Sequence, residues 1–292
     1  MIPHPFEHVA PDSVAGCLAA LAGGGARVLA GGTWVLPEMG RAESRPARLV
    51  DLRRAGLGGV TPLAGGVAIG AMATYADLLA SPDVAARTPL LRQMADGVTG
   101  GWALRNQATV GGSAMAARPQ SDVPGALVAS GAVARIAGPH GERRIAVREL
   151  FAGPMRTTLG PGELLTSFDV PSTTGAGAGY SKLKRGGSSW PIATAGALLR
   201  LDDAGTCTAA TLVLGGVAGT PLPVDVAVVL VGRVPGAAVL AEAAALAGET
   251  LVDPWDDLLA PGSYRAAVAA PVARRALTLA LRNAAPDRAE AA

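Results

Sequence analysis

The residue types best suited to chemistry gather in one stretch, from Arg105 to Asp122, which reads Arg-Asn-Gln-Ala-Thr-Val-Gly-Gly-Ser-Ala-Met-Ala-Ala-Arg-Pro-Gln-Ser-Asp. Gly111 and Gly112 let the main chain approach a bulky ligand and turn N–H groups toward it, as anion sites require. Thr109 and Ser113 flank the pair with hydroxyl donors, with Val110 between. In a chain with 39 glycines, a Gly-Gly pair is most often a plain tight turn, so a second feature has to decide. It lies upstream, where a short apolar strand from Arg27 to Ala30, carrying Leu29, runs into Gly31-Gly32-Thr33 and then Trp34. Two strand-Gly-Gly-hydroxyl corners of this kind can grip one diphosphate between them. Neither has the Lys-Ser/Thr of a P-loop or the GxGxxG spacing of a Rossmann turn, so those nucleotide folds are poorly supported.

Other chemistries are excluded by what the chain lacks. Cys17 and Cys207 are its only cysteines, far apart and without a CxxC, so neither a disulfide framework nor an iron–sulfur or zinc site can be built. His4, His8 and His140 form no ligand pattern and are expected at the surface, leaving no metal site and no catalytic acid or base to nominate. The net charge of +2, from scattered basic residues, gives no case for nucleic acid or an acidic membrane surface. No apolar run reaches the ~18 residues of a membrane span and the N-terminus lacks a signal-peptide pattern. The chain reads as soluble and cytoplasmic.

The elements that must position these residues alternate without the long regular periods of a doubly wound sheet, which predicts an α+β fold. Val14, Cys17, Leu18 and Leu21 share one face of a helix that Asp12 or Ser13 can cap, making Cys17 a core residue. Strands are expected at Arg27–Ala30, Leu49–Leu52 and Val67–Ala71, a capping-box-like helix start at Thr74–Asp77, and short helices over Thr88–Met94 and Pro124–Ser130. Val133–Val147 reads as a hairpin turned at Gly138–Gly141. A Ser/Thr/Gly/Ala-rich run from Pro171 to Gly179 reads as a linker. Beyond it, strands at Ala193–Leu201 and Thr208–Leu214 should be covered by alanine-rich helices over Ala237–Ala247 and Ser263–Asn283, before a frayed tail. Half the residues are apolar but only 3% are aromatic, so packing must rely on Ala, Val and Leu at close approach.

The two glycine segments together resemble the FAD-binding subunit of the molybdenum hydroxylases, the family of xanthine dehydrogenase and aerobic carbon monoxide dehydrogenase. The resemblance extends in the family's order through Met1-Ile-Pro-His-Pro-Phe-Glu, Leu49-Val-Asp-Leu-Arg, Ile69-Gly-Ala-Met-Ala-Thr, Gly162-Glu-Leu-Leu-Thr, Tyr180-Ser-Lys and Leu214-Gly-Gly-Val-Ala. It implies a PCMH-type (vanillyl-alcohol-oxidase-like) FAD-binding domain over residues 1–173. A smaller C-terminal domain, an antiparallel sheet covered by helices, would follow over 178–285. It places the FAD diphosphate on Ala30, Gly31, Gly32 and Thr33 and on Thr109, Gly111 and Gly112, with Leu29, Trp34, Val110 and Ser113 counted among the cofactor-binding residues. Asp122, matching the family's Ser-Asp pair, would meet the adenosine ribose or cap a helix, and Leu164 would pack on the flavin. Lys182, one of only two lysines among 25 basic residues, would set an ammonium near the flavin. Three positions depart from the family: Ser113 stands where asparagine is usual, Trp34 replaces a small polar residue, and Arg118 is atypical.

The resemblance further implies that substrate is hydroxylated at a molybdopterin cofactor on a large partner chain. Electrons would reach this FAD through two [2Fe-2S] clusters on a small one and leave for an external acceptor, in a heterotrimer or its dimer. Two rival readings are a self-contained FAD-dependent oxidoreductase, which would need its own substrate pocket with polar catalytic groups, and a flavin-free assembly or scaffold subunit.

Overall fold

A computed structural model of the chain describes residues 2–284. The tail from Pro286 to Ala292, and residue 285 at the expected end of the second domain, lie outside the described residues. The architecture is α+β. The N-terminal domain begins with a small parallel sheet of β1 (Glu7–Val9), β2 (Ala26–Leu29) and β3 (Arg48–Asp51), in the order β1-β3-β2. Helix α1 (Val14–Leu21), capped by Ser13, buries Cys17 against Val50 and Leu52. Helix α2 (Val35–Gly40) buries Met39 against Leu29 and Leu49.

A larger antiparallel sheet is built from β4 (Val60–Leu63), β5 (Gly66–Gly70), β6 (Val133–Gly138) and β7 (Gly141–Ala146). After a short hairpin of β8 (Phe151–Gly153) and β9 (Arg156–Thr157), β10 (Leu164–Pro171) inserts at its centre, giving the order β4-β5-β10-β6-β7. Val67, Ile69, Ala134, Ile136 and Phe168 point from this sheet into one core. That core is closed by α3 (Tyr75–Ala80), α4 (Pro82–Arg87), α5 (Pro89–Gly97), α6 (Gly101–Gln107), α7 (Val110–Met115) and α8 (Asp122–Ala129). The Thr74–Asp77 capping box forms: the Thr74 hydroxyl accepts the Asp77 N–H, and the Asp77 carboxylate accepts the Thr74 N–H at 2.8 Å.

The smaller C-terminal domain is a sheet of β11 (Gly177–Lys184), β12 (Pro191–Leu201), β13 (Cys207–Gly215) and β14 (Leu222–Val224), hydrogen-bonded in that order. With it come α9 (Ala227–Leu230), α10 (Ala237–Thr250) and α11 (Gly262–Ala284). Both faces of β12 are buried. Ala193, Ala195, Ala197 and Leu199 face α10 and α11, while Leu198 and its neighbours Ala178 and Val213 meet Leu90 of α5 and Ala129 of α8. Thus two helices of the first domain are also the second covering layer of the C-terminal sheet. Arg265 of α11, wholly buried, ties that helix down by donating to the carbonyls of Ile192 and Gly216 and to Asp257 Oδ1 at 2.6 Å.

Three expectations change, and elements appear that none of them named. The linker shrinks to 172–176, because Gly177 and Gly179 already belong to β11, where the bare glycine backbone lies against the Ala280 and Ala276 carbonyls of α11. The pair Gly111-Gly112 is the first turn of helix α7, capped by Thr109, rather than a turn leaving a strand. Among those elements is β4, whose Pro62 is tolerated because β4 is an edge strand. His4 is only half exposed, and both its ring nitrogens are buried with no partner among the described residues.

The glycine contact predicts that Gly179→Ala, whose Cβ would fall inside contact distance of the Ala276 carbonyl, lowers stability by about 3 kcal/mol or more. Gly186→Ala, with open space around it, should stay within about 0.5 kcal/mol. Denaturant melts of the two variants against the parent chain check the contrast.

A candidate cofactor cleft between the domains

Beyond the carboxyl ends of β2 and β3 the chain opens a cleft of about 690 Å³, within the ~300–1,000 Å³ range of small-molecule and cofactor sites. Ala30, Gly31, Gly32, Thr33, Trp34, Thr109, Gly111, Gly112, Ser113, Asp122 and Leu164 all lie in its wall. Leu29 and Val110 do not; they are core residues that hold the two loops from behind. Lys182 is also absent from the wall.

The two glycine segments differ in what they can offer a ligand. In the α7 segment the backbone donors are spent on protein: Val110 N donates to Ala73 O at 2.8 Å, Gly111 N to Ala71 O at 3.0 Å, Gly112 N to Thr109 Oγ1 at 3.0 Å and Ser113 N to Thr109 O at 3.0 Å. The Thr109 hydroxyl, acting there as acceptor, keeps its own proton to give. In the β2–α2 loop, by contrast, the N–H groups of Gly31, Gly32, Thr33 and Trp34 have no protein acceptor among the described residues. Four N–H groups without a protein partner in the wall of a cleft are the donor set a diphosphate needs, so the residues fit such a group.

The glycines serve packing first. A Cβ on Gly31 would collide with the Gln107 carbonyl and stand 3.1 Å from Ala108 Cα; one on Gly111 would stand 2.5 Å from Ala71 O. Their missing side chains are filled by neighbouring backbone rather than held open for phosphate, as the sequence suggested. Gly32 is different: its φ of +71° is the left-handed turn that aims the loop along the cleft.

Asp122 opens α8 just after Ser121 and is buried where the two domains meet. Lys182 Nζ donates to Asp122 Oδ2 at 2.9 Å and to Gly97 O at 3.0 Å, and Tyr180 OH donates to Asp122 Oδ1 at 2.6 Å. Burial pushes the Asp122 carboxyl above its ordinary range, against the pull of Lys182 and Tyr180, and pushes the Tyr180 hydroxyl well up. The ammonium expected beside the ligand therefore stands one shell back, neutralising the carboxylate that lines the wall. Ser113 is held at 2.7 Å from the hydroxyl of Tyr75, a wall residue for which the sequence gives no signal.

Trp190 enters the wall from the loop between β11 and β12 and meets Trp34 edge to face, with ring centroids 5.8 Å apart. Arg118, noted in the sequence only as atypical, lays its guanidinium 3.3 Å from the Trp34 ring centre. Across the cleft Glu163 is clamped by Arg143, which holds its carboxyl down at about 2.

Lys182→Met should leave a buried carboxylate without its counter-charge and cost about 3–5 kcal/mol at neutral pH. Since the raised Asp122 pKa makes the folded chain the better proton acceptor, the variant should regain stability as pH falls through that raised value toward the ordinary carboxylate range. Denaturant melts across that window test it; in Lys182→Met combined with Asp122→Asn the pH-dependent part should vanish.

Comparison with known proteins shows the family and the fold. The family described as the FAD binding domain in molybdopterin dehydrogenase matches residues 4–173, and the carbon monoxide dehydrogenase flavoprotein C-terminal domain matches residues 178–280. The carbon monoxide dehydrogenase medium chain of Afipia carboxidovorans is 37% identical over 95% of this chain and 97% of its own length. The alpha subunit of the 6-hydroxypseudooxynicotine dehydrogenase complex of Paenarthrobacter nicotinovorans is 31% identical over 99% and 98%. Among solved structures, a chain of carbon monoxide dehydrogenase from Hydrogenophaga pseudoflava, in a form lacking the Mo-pyranopterin moiety of the molybdenum cofactor, superimposes with a TM-score of 0.92 at 33% identity, covering 97% of this chain and 99% of that one. This chain belongs to the FAD-binding medium-subunit family of the molybdenum hydroxylases, a family of oxidoreductases that includes the carbon monoxide and xanthine dehydrogenases.

Proposed function

We propose that this chain holds FAD in the cleft between its two domains and serves as the electron-exit subunit of a molybdenum hydroxylase. The observation that carries the reading is the β2–α2 loop, whose four N–H groups from Gly31 to Trp34 line the cleft with no acceptor among the described residues. They take the diphosphate, with the Thr109 hydroxyl donating beside them and the Gly111-Gly112 backbone forming the floor. Asp122, held between Lys182 and Tyr180, accepts from ribose hydroxyls on the adenosine side. Leu164, at the start of β10, gives the flavin an apolar wall. Lys182 acts through Asp122, keeping it charged. Bound FAD supplies the redox chemistry, accepting electrons from [2Fe-2S] clusters on a small partner and releasing them to an external acceptor.

The molybdopterin cofactor and the hydroxylation belong, in this reading, to a large partner, with the three chains forming a heterotrimer or its dimer. Relatives with the same architecture support it: they carry the names of carbon monoxide and 6-hydroxypseudooxynicotine dehydrogenases, and one solved form is described by its molybdenum cofactor. Among the described residues no helix is long and apolar enough to cross a membrane, which accords with a cytoplasmic complex.

Purified from its native cell under gentle conditions, the chain should release about one flavin per polypeptide on heating and co-migrate with an iron–sulfur chain and a molybdenum chain. Migration alone with bound FAD and unaided oxidation of a small substrate would mark a self-contained flavoenzyme. A chain without flavin absorption would mark a scaffold subunit.

A further inference from the structure

The two departures from the family pattern that no role yet explains, Trp34 and Arg118, lie 84 positions apart in the sequence (118 minus 34) and touch in the fold. Arg118 Nη2 donates to Glu38 Oε1 at 3.1 Å, one turn along α2 from Trp34, while the plane of Trp34 supports the guanidinium from below. Arg118 is thus fixed on two sides. Its Nε is nevertheless buried with no partner among the described residues. Burial also pushes the guanidinium down from its ordinary value, with Glu38 pulling the other way, so this cation is short of solvent and of counter-charge.

The charges around the cleft do not balance at this point. Of the ionisable wall residues, Asp122 is paired with Lys182 and Glu163 with Arg143. Glu38 must serve both Arg27, at 2.6 Å, and Arg118, at 3.1 Å. Two guanidiniums against one carboxylate leave a surplus of one positive charge. It stands beside the loop whose N–H groups have no acceptor.

We propose that Trp34 and Arg118 form one device, a guanidinium stacked on Trp34 and anchored at Glu38 that binds the dinucleotide's diphosphate together with the Gly31–Trp34 loop. The proposal rests on the FAD reading above and deepens it. Backbone N–H groups supply direction but only partial charges; a fixed guanidinium adds a full charge and a second donor face, and charge-assisted bonds are the stronger kind. In this chain, then, FAD binding has an ionic component that depends on residue 118. Trp34, too large for the small polar residue it replaces, is the shelf that holds Arg118 in place.

The test is titration of the FAD-free full chain with FAD at low and high salt, with ADP as a competitor for the diphosphate side and riboflavin as a control without phosphate. In the parent chain affinity for FAD should fall as salt rises. Arg118→Met should weaken FAD and ADP binding about tenfold, flatten the salt dependence, and leave riboflavin unaffected. Arg118→Lys should keep the salt dependence while losing part of the affinity, because an ammonium neither forks nor stacks as a guanidinium does. Glu38→Gln, which raises the local surplus while retaining an amide acceptor for Arg118, should tighten FAD and steepen the salt dependence, a gain that misfolding cannot imitate. Unchanged affinity and salt dependence in both Arg118→Met and Glu38→Gln would reduce the stack to a structural prop and overturn the proposal alone. Failure of the parent chain to take up any FAD would sink the FAD reading and this proposal with it.

Discussion

Three pieces of backbone approach so closely around the cleft that no side chain fits between them. Gly31 rests on the Gln107 carbonyl and Gly111 on Ala71, while Gly112 makes ordinary contact with the Ala30 side chain. These contacts weld the end of the small parallel sheet to the first turn of α7 and to the end of β5. The β2–α2 loop is thereby held with its N–H groups unspent, while the helix that buttresses it consumes its own donors on Ala71, Ala73 and Thr109. The division into one loop that supports and one that presents follows from this packing. A β-carbon at Gly31 or Gly111 would push the packed segments apart and dissolve the wall before any ligand was involved.

The second constraint is electrostatic and runs across the domain boundary. Asp122 belongs to the first domain; Lys182 and Tyr180 belong to β11 of the second, and all three meet in a region nearly closed to water. A buried carboxylate is tolerable only with such partners. The arrangement therefore fixes how β11 sits against α5 and α8, and hence where the following loop delivers Trp190 to the cleft. Buried ionic contact and cleft shape are two consequences of the same docking.

Small residues make that docking possible. With few aromatic side chains available, the C-terminal sheet packs α11 onto Gly177 and Gly179 of β11 at distances that a larger residue would forbid, and sets Ala129 of α8 tightly over Gly196 of β12. The alternating Ala-Thr-Ala-Gly-Ala run of β12 serves two helical layers at once. Burial per residue is modest in such a core, and it is the number of close contacts that compensates. Arg265 adds a polar clamp at the far end of the same layer.

Much of this was legible in the sequence, and unevenly so. The Thr74–Asp77 capping box, the Gly138–Gly141 hairpin and the alanine-rich helices follow from local rules that tertiary context did not overrule. The glycine pairs announced where backbone must come close, and the order of motifs announced the family. Sequence could not say what the glycines approach: Gly31 and Gln107 are neighbours only once the end of α6 packs on the β2–α2 loop, so space reserved for a ligand and space filled by another segment's backbone leave the same mark in the chain. Nor could it show that the α7 donors are used internally, that Lys182 stands behind Asp122 rather than in the wall, or that Trp34 and Arg118 are one contact. The sequence by itself determined which residue types were present and which local elements they favour. Which donors stay free, and which charges find a partner, were decided by contacts between segments far apart in the chain, and those exist only in the folded state.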